Sequence, residues 1–183
     1  MEFIVDLWLP IVVSAVAVFF ASFLAWMVIG HHKSDWKGLG DEEAARGAIR
    51  GTDPGQYVLP YCGQDWKSEE AKRKYQEGPV AYVTVAPTGF PKMGGKMLAC
   101  VCFNLVVSIF SAYIASLILP AGAGFGPVFR IVGTIAVAAY ALGGIPNGIW
   151  FAKPRSAMVK DVLDGVAYGL VTGAIFALMW PGA

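Results

Sequence analysis

Two histidines, His31 and His32, stand side by side with Asp35 close behind them, and they are the only imidazoles in the chain. Imidazole nitrogens and a carboxylate are ligand types that hold a transition metal or ligate a pigment. Adjacent residues on a helix point to different sides, however, and no complementary Cys or His set lies elsewhere in the sequence. His31, His32 and Asp35 are therefore read as an interfacial, partly solvated group and as the candidates for binding a cofactor. No metal centre and no resident cofactor are predicted.

Other residues with chemical potential are sparse. Asp161 and Asp164 fall at the start of the last apolar block, where a carboxylate suits the positive end of a helix and can pair with Arg155 or Lys160. Cys62, Cys100 and Cys102 make neither an even disulfide framework nor a CxxC pair, so they read as small hydrophobes. The stretch from Gly89 to Lys96, GFPKMGGK, superficially has the look of a phosphate loop. Its spacing fails, because Phe90 stands where the first glycine belongs and Met97 where Ser or Thr is required. It reads instead as an interfacial turn whose Lys92 and Lys96 meet anionic headgroups. No Ser/His/Asp or Cys/His constellation can form from two adjacent histidines, so no catalytic residue is assigned and no enzyme is predicted.

The elements that must position these residues follow from where charge is missing. The 183 residues are 56% hydrophobic and 15% charged, against about 25% charged in soluble proteins. No Asp, Glu, Lys or Arg occurs from Leu7 to His32, Met97 to Phe129, Ile131 to Ala152, or Gly165 to the end. Each block supplies the roughly 20 apolar residues that cross a hydrocarbon core of about 30 Å. The expected spans are residues 5–30, 97–119, 128–150 and 161–180. The predicted fold class is an all-α membrane protein, a four-transmembrane-helix bundle with a small α+β cytoplasmic segment between helices 1 and 2. Its expected domains are 1–30 (first span), 31–95 (cytoplasmic segment) and 96–183 (spans two to four). The first block should be retained, since Glu2 and Asp6 occupy the place of a basic signal-peptide leader.

Ten of the fourteen Lys and Arg lie from Lys33 to Lys96, and Lys153, Arg155 and Lys160 lie between spans three and four. Positive residues stay on the inner side, which places both termini outside and residues 31–95 in the cytoplasm. Indoles favour the headgroup level, and Trp8 and Trp180 fall at the expected outer face, Trp26 and Trp150 at the inner, as interface anchors. A net charge of +1, with no basic run interleaved with aromatics, excludes nucleic acid as a partner.

Within the spans, Gly165, Gly169, Gly173 and Ala177 recur every fourth residue and form a smooth face for close helix packing. Ala17, Ala21 and Ala25 echo it in span one, and Ser108, Ala112 and Ser116 in span two. Packing inside the bundle is the first reading of these faces; contact with another subunit, a pigment or lipid is the other. Gly143, Gly144, Pro146, Asn147 and Gly148 predict a kink or an early helix end in span three. Polar groups at depth are limited to Asn104, scattered Ser and Thr, and Tyr113, Tyr140 and Tyr168. None is ionised, which weighs against a pump or an ion-coupled transporter.

In the hydrophilic segment, Asp41 is positioned to cap a helix running through Arg50, with Glu42 and Arg46 paired. A second helix is expected from about Trp66 to Gln76, with Glu69 and Glu70 early and Arg73 and Lys74 a turn later. Residues 56–60 and 80–86 are β-rich, and Ala81, Val83 and Val85 share one strand face. A two-stranded element is marginal alone in water, so it calls for a partner surface.

The strings His31-His-Lys-Ser-Asp-Trp36, Gly78-Pro-Val-Ala81 and Phe110-Ser-Ala-Tyr-Ile-Ala115 resemble a group of short, uncharacterised bacterial inner-membrane proteins. Those chains also follow an apolar span with a His-His-Lys/Arg-Ser-Asp-aromatic turn. The resemblance implies a bacterial source and a four-span plan, with no activity or site residue to carry over. The functional expectation is an accessory or structural subunit of a larger membrane complex, such as a respiratory or photosynthetic electron-transfer complex, with lipid and other membrane subunits as partners. The alternative is a small channel- or transporter-like homo-oligomer.

Overall fold

The computed structural model describes residues 2–182. These divide into two compact units, one formed by the chain through Trp36 together with Lys92 onward, the other by Lys37–Pro91. Four helical stretches in the first unit, Glu2–Ile29, Met93–Ile118, Phe125–Trp150 and Arg155–Leu178, are long and apolar enough to cross a membrane. The shortest has 24 residues, about 36 Å at 1.5 Å per residue. They mark a multi-pass membrane protein.

Helix α1 (Glu2–Phe23) widens into a π-helical turn over Leu24–Ile29 and stops at Gly30. Gly30 adopts φ +64°, and its N–H bonds back to Ala25 O. A left-handed residue is the ordinary way to end a helix, and glycine takes that conformation without a Cβ clash. The chain then enters a 3-10 turn, His31–Asp35.

Helices α4 (Met93–Ile118) and α7 (Arg155–Leu178) are unbroken. Between them, α5 (Phe125–Val137) passes through a π-helical stretch, Ala138–Leu142, into the short α6 (Ile145–Trp150). The irregularity expected at Gly143–Gly148 is present and begins earlier, at Ala138. Pro146 has no N–H to offer the preceding turn, which frees a carbonyl there. The π-helical stretch also faces the closest approach of α7: a Cβ on Gly165 would lie 2.6 Å from Ala141 Cα, and one on Gly169 2.5 Å from Val137 N.

Helix α1 packs on α4 and α7, and α5 packs on α7 and α4. The glycine stripe of α7 is thus consumed within the chain, with Gly173 set against Gly133 of α5. On α1, the buried face is made by Leu7, Ile11, Ser14, Ala15 and Val18, while Ala17 and Ala21 are half-buried. Facing it, α4 buries Asn104, Val107, Ser108, Ser111, Ala112 and Ala115. Ser14 and Ser108 share a hydrogen bond of 2.9 Å, and Asn104 Nδ2 donates to Ala15 O. A core of Leu7, Ile11, Val128, Val132, Phe176 and Trp180 closes one end. There the Trp180 indole N–H donates to Pro120 O at 2.9 Å. Trp180 is 5% exposed and contacts protein, whereas Trp8, Trp26 and Trp150 are on the surface.

The second unit holds α2 (Glu42–Ile49), β1 (Gly55–Leu59), α3 (Glu69–Glu77) and β2 (Ala81–Val85). Asp41 caps α2 by accepting from Ala44 N–H, and Ser68 caps α3 by accepting from Ala71 N–H. Arg46 pairs with Glu43 rather than with Glu42. The strands are antiparallel, with Tyr57 opposite Val83, and Ala81, Val83 and Val85 form the half-buried face of β2.

Candidate functional site

The densest polar cluster among the described residues lies where α1 ends and α7 begins. Gly30 turns the backbone so that the two histidines leave the helical path, and their rings come together at 4.3 Å between centroids. The expectation that adjacent histidines diverge is thereby corrected. It assumed continued α-helix, whereas the left-handed residue and the 3-10 turn redirect both side chains toward α7.

Asp164 of α7 receives them. His31 Nε2 lies 3.1 Å from Asp164 Oδ1, and His32 Nε2 lies 3.1 Å from Asp164 Oδ2. The Tyr168 hydroxyl donates to the same Oδ2 at 3.3 Å. The other nitrogen of His32, Nδ1, lies 2.8 Å from Asp35 Oδ2. The ring is 3% exposed, and the Trp26 indole lies flat against it, 4.0 Å away and 10° from parallel. His32 is therefore held on two edges and covered on one face.

Lys160 completes the cluster. Its ammonium donates to Asp35 Oδ1 at 2.7 Å, to Ser34 Oγ at 2.8 Å and to His31 O at 2.8 Å, which uses all three of its protons. The Lys160 ammonium, and after it His32, hold the Asp35 carboxyl below its ordinary range, against the opposing effect of burial. Asp161 pairs with Lys153. The expected partnerships of Asp161 and Asp164 with Arg155 or Lys160 are thus replaced: Lys160 sits one helical turn before Asp164 and reaches away from it, to Asp35.

His31, His32 and Asp35 are brought together as a group. Their partner Asp164 does not stand out in the sequence, because it is remote in the chain and reads there as a helix-end anchor. The available signal was topological: four antiparallel spans bring the end of the first and the start of the fourth to one side.

Lys160 offsets Asp35, while Asp164, 14% exposed, faces only imidazole and phenol groups among the described residues. A neutral imidazole donates from one nitrogen alone, and His32 faces a carboxyl group at each of its nitrogens, Asp35 at Nδ1 and Asp164 at Nε2. His31, His32 and Asp164 each offer one ligand atom within 4.8 Å of the others. Cys62, Cys100 and Cys102 are free thiols, and no cysteine belongs to this group. No family model, curated protein or solved structure matches the chain.

Proposed function

We propose that this chain is an accessory, structural subunit of a larger integral membrane assembly. A four-span bundle anchors it, and the segment 37–91 meets a partner on the cytoplasmic side of a bacterial inner membrane. What supports this reading above all is the thinness of the second unit's interior, where Ala71 is the one buried residue among those described. A two-stranded hairpin with two short helices needs more apolar burial than that to order itself in water. Tyr57, Tyr61, Trp66 and Tyr75 are exposed on the same unit, and aromatic side chains are the residues that protein interfaces favour.

The spanning unit supports an anchoring role. Ser14, Ser108 and Asn104 are engaged between α1 and α4, so these polar groups serve packing and do not line a path. The basic residues that follow the first span and precede the second and the last, with none before the first or after the last, favour a cytoplasmic location for residues 37–91. The His-His-Lys-Ser-Asp-Trp turn, which resembles that of short bacterial inner-membrane proteins, supports this choice of compartment.

The test is gentle solubilisation of native membranes followed by sizing and identification of co-eluting chains. The chain is expected in a particle well above the mass of one detergent-bound copy, with stoichiometric partners of different sequence. Recovery as a stable monomer or small homo-oligomer at low detergent contradicts the proposal.

A further inference from the structure

We propose that His31, His32 and Asp164 form a binding site for a divalent first-row transition ion, zinc foremost, at the junction of α1 and α7. This inference is independent of the assembly reading. Both histidines aim Nε2 at one carboxylate, each at 3.1 Å. Two ligands bound to one zinc at about 2.0–2.2 Å stand about 3.3 Å apart in a tetrahedron; each Nε2 already has that spacing from an Asp164 oxygen, and one ligand atom from each of the three groups lies within 4.8 Å of the others.

The surroundings are those a metal-bound imidazole requires. A ligating histidine donates its other ring N–H to a carboxylate, which fixes the tautomer and strengthens the ligand. His32 Nδ1 has Asp35 for this purpose at 2.8 Å, and Asp35 is in turn held by Lys160 at 2.7 Å. The Tyr168 hydroxyl supports the ligating carboxylate, and Trp26 fixes the plane of the His32 ring. Two imidazoles and a carboxylate suit zinc and its neighbours better than magnesium or calcium, which take oxygen ligands. With three protein ligands, a coordination position stays open on the side of His31, whose side chain is 29% exposed. The ion can therefore enter from water.

The chain contains two histidines, so in a tag-free preparation any imidazole signature comes from this site. The experiment uses the full chain, purified without a histidine tag, stripped with a chelator and titrated with Zn²⁺ by calorimetry and with Cu²⁺ by electron paramagnetic resonance. One Zn²⁺ per chain is expected, with nitrogen coupling from two imidazoles in the Cu²⁺ spectrum. His31→Ala should reduce the coupling to one nitrogen and weaken Zn²⁺ binding at least about 100-fold, while Asp35→Asn should weaken it about 10–100-fold. Wild-type protein that takes up no ion saturably, or that binds with unchanged affinity after His31→Ala and Asp164→Asn, overturns the proposal and leaves a purely ionic cluster. The wild-type spectrum needs no substitution, so a misfolded variant cannot hide the answer.

Discussion

His32 Nε2 and Asp164 Oδ2 lie 3.1 Å apart although 132 residues separate them in the chain. The contact fastens the end of α1 to the first turns of α7, at the opposite end from the Trp180 to Pro120 bond. Removing the carboxylate leaves a buried imidazole with Asp35 alone. Asp164→Ala is expected to destabilise the protein by about 1–3 kcal/mol, read as a lower thermal midpoint in detergent. An unchanged midpoint would show the contact to be energetically idle.

Gly30 decides where those histidines point. An L residue at its φ of +64° carries a strain of about 1–2 kcal/mol, and a Cβ there would lie 3.0 Å from Lys33 Cε. Gly30→Ala should therefore lower stability by about that amount and unstack His32 from Trp26. The expected optical signature is a change in tryptophan fluorescence, which His32→Ala should reproduce and Gly51→Ala should not.

The α5 and α7 backbones approach closely because glycine is at the contact. A Cβ at Gly165 would lie 2.6 Å from Ala141 Cα, and one at Gly173 2.9 Å from Gly133 Cα, while one at Gly95 would meet no described residue within 4 Å outside its own stretch of helix. Gly165→Ala should cost about 1–3 kcal/mol through overpacking. Gly95→Ala should be neutral or gain up to about 1 kcal/mol from helix propensity. Detergent unfolding curves of the two variants separate the packing effect from the propensity effect.

Serines on α4 differ in what they contribute. Ser108 shares its hydroxyl with Ser14 of α1, whereas the buried hydroxyl of Ser111 has no hydrogen-bond partner among the described residues. Ser108→Ala should destabilise by about 0.6 kcal/mol, the ordinary worth of such a bond between membrane helices. Ser111→Ala should leave stability unchanged or raise it. A double-mutant cycle on Ser14 and Ser108 gives the coupling directly.

Much of this architecture was legible because lipid imposes a length and forbids charge. The blocks from Leu7, Met97, Ile131 and Gly165 therefore announced four long helices, and the Asp41 cap and the Ala81, Val83, Val85 face followed from local rules. The site was legible only in part. His31, His32 and Asp35 could be named from their types, but Asp164 could not be joined to them, because that requires knowing how Gly30 turns the chain and which helix packs beside α1. Trp180 shows the same limit: an indole at the end of the last span reads as a headgroup anchor, and its bond to Pro120 O becomes visible only once the helices are packed.

The most direct test of the account is amide hydrogen exchange over β1 and β2, residues 55–59 and 81–85, in native membranes and in vesicles holding the purified chain alone. If a partner completes the 37–91 unit, these amides exchange slowly in native membranes and much faster in the vesicles. Equal protection in both would contradict the account, because the hairpin would then be ordered without any other protein.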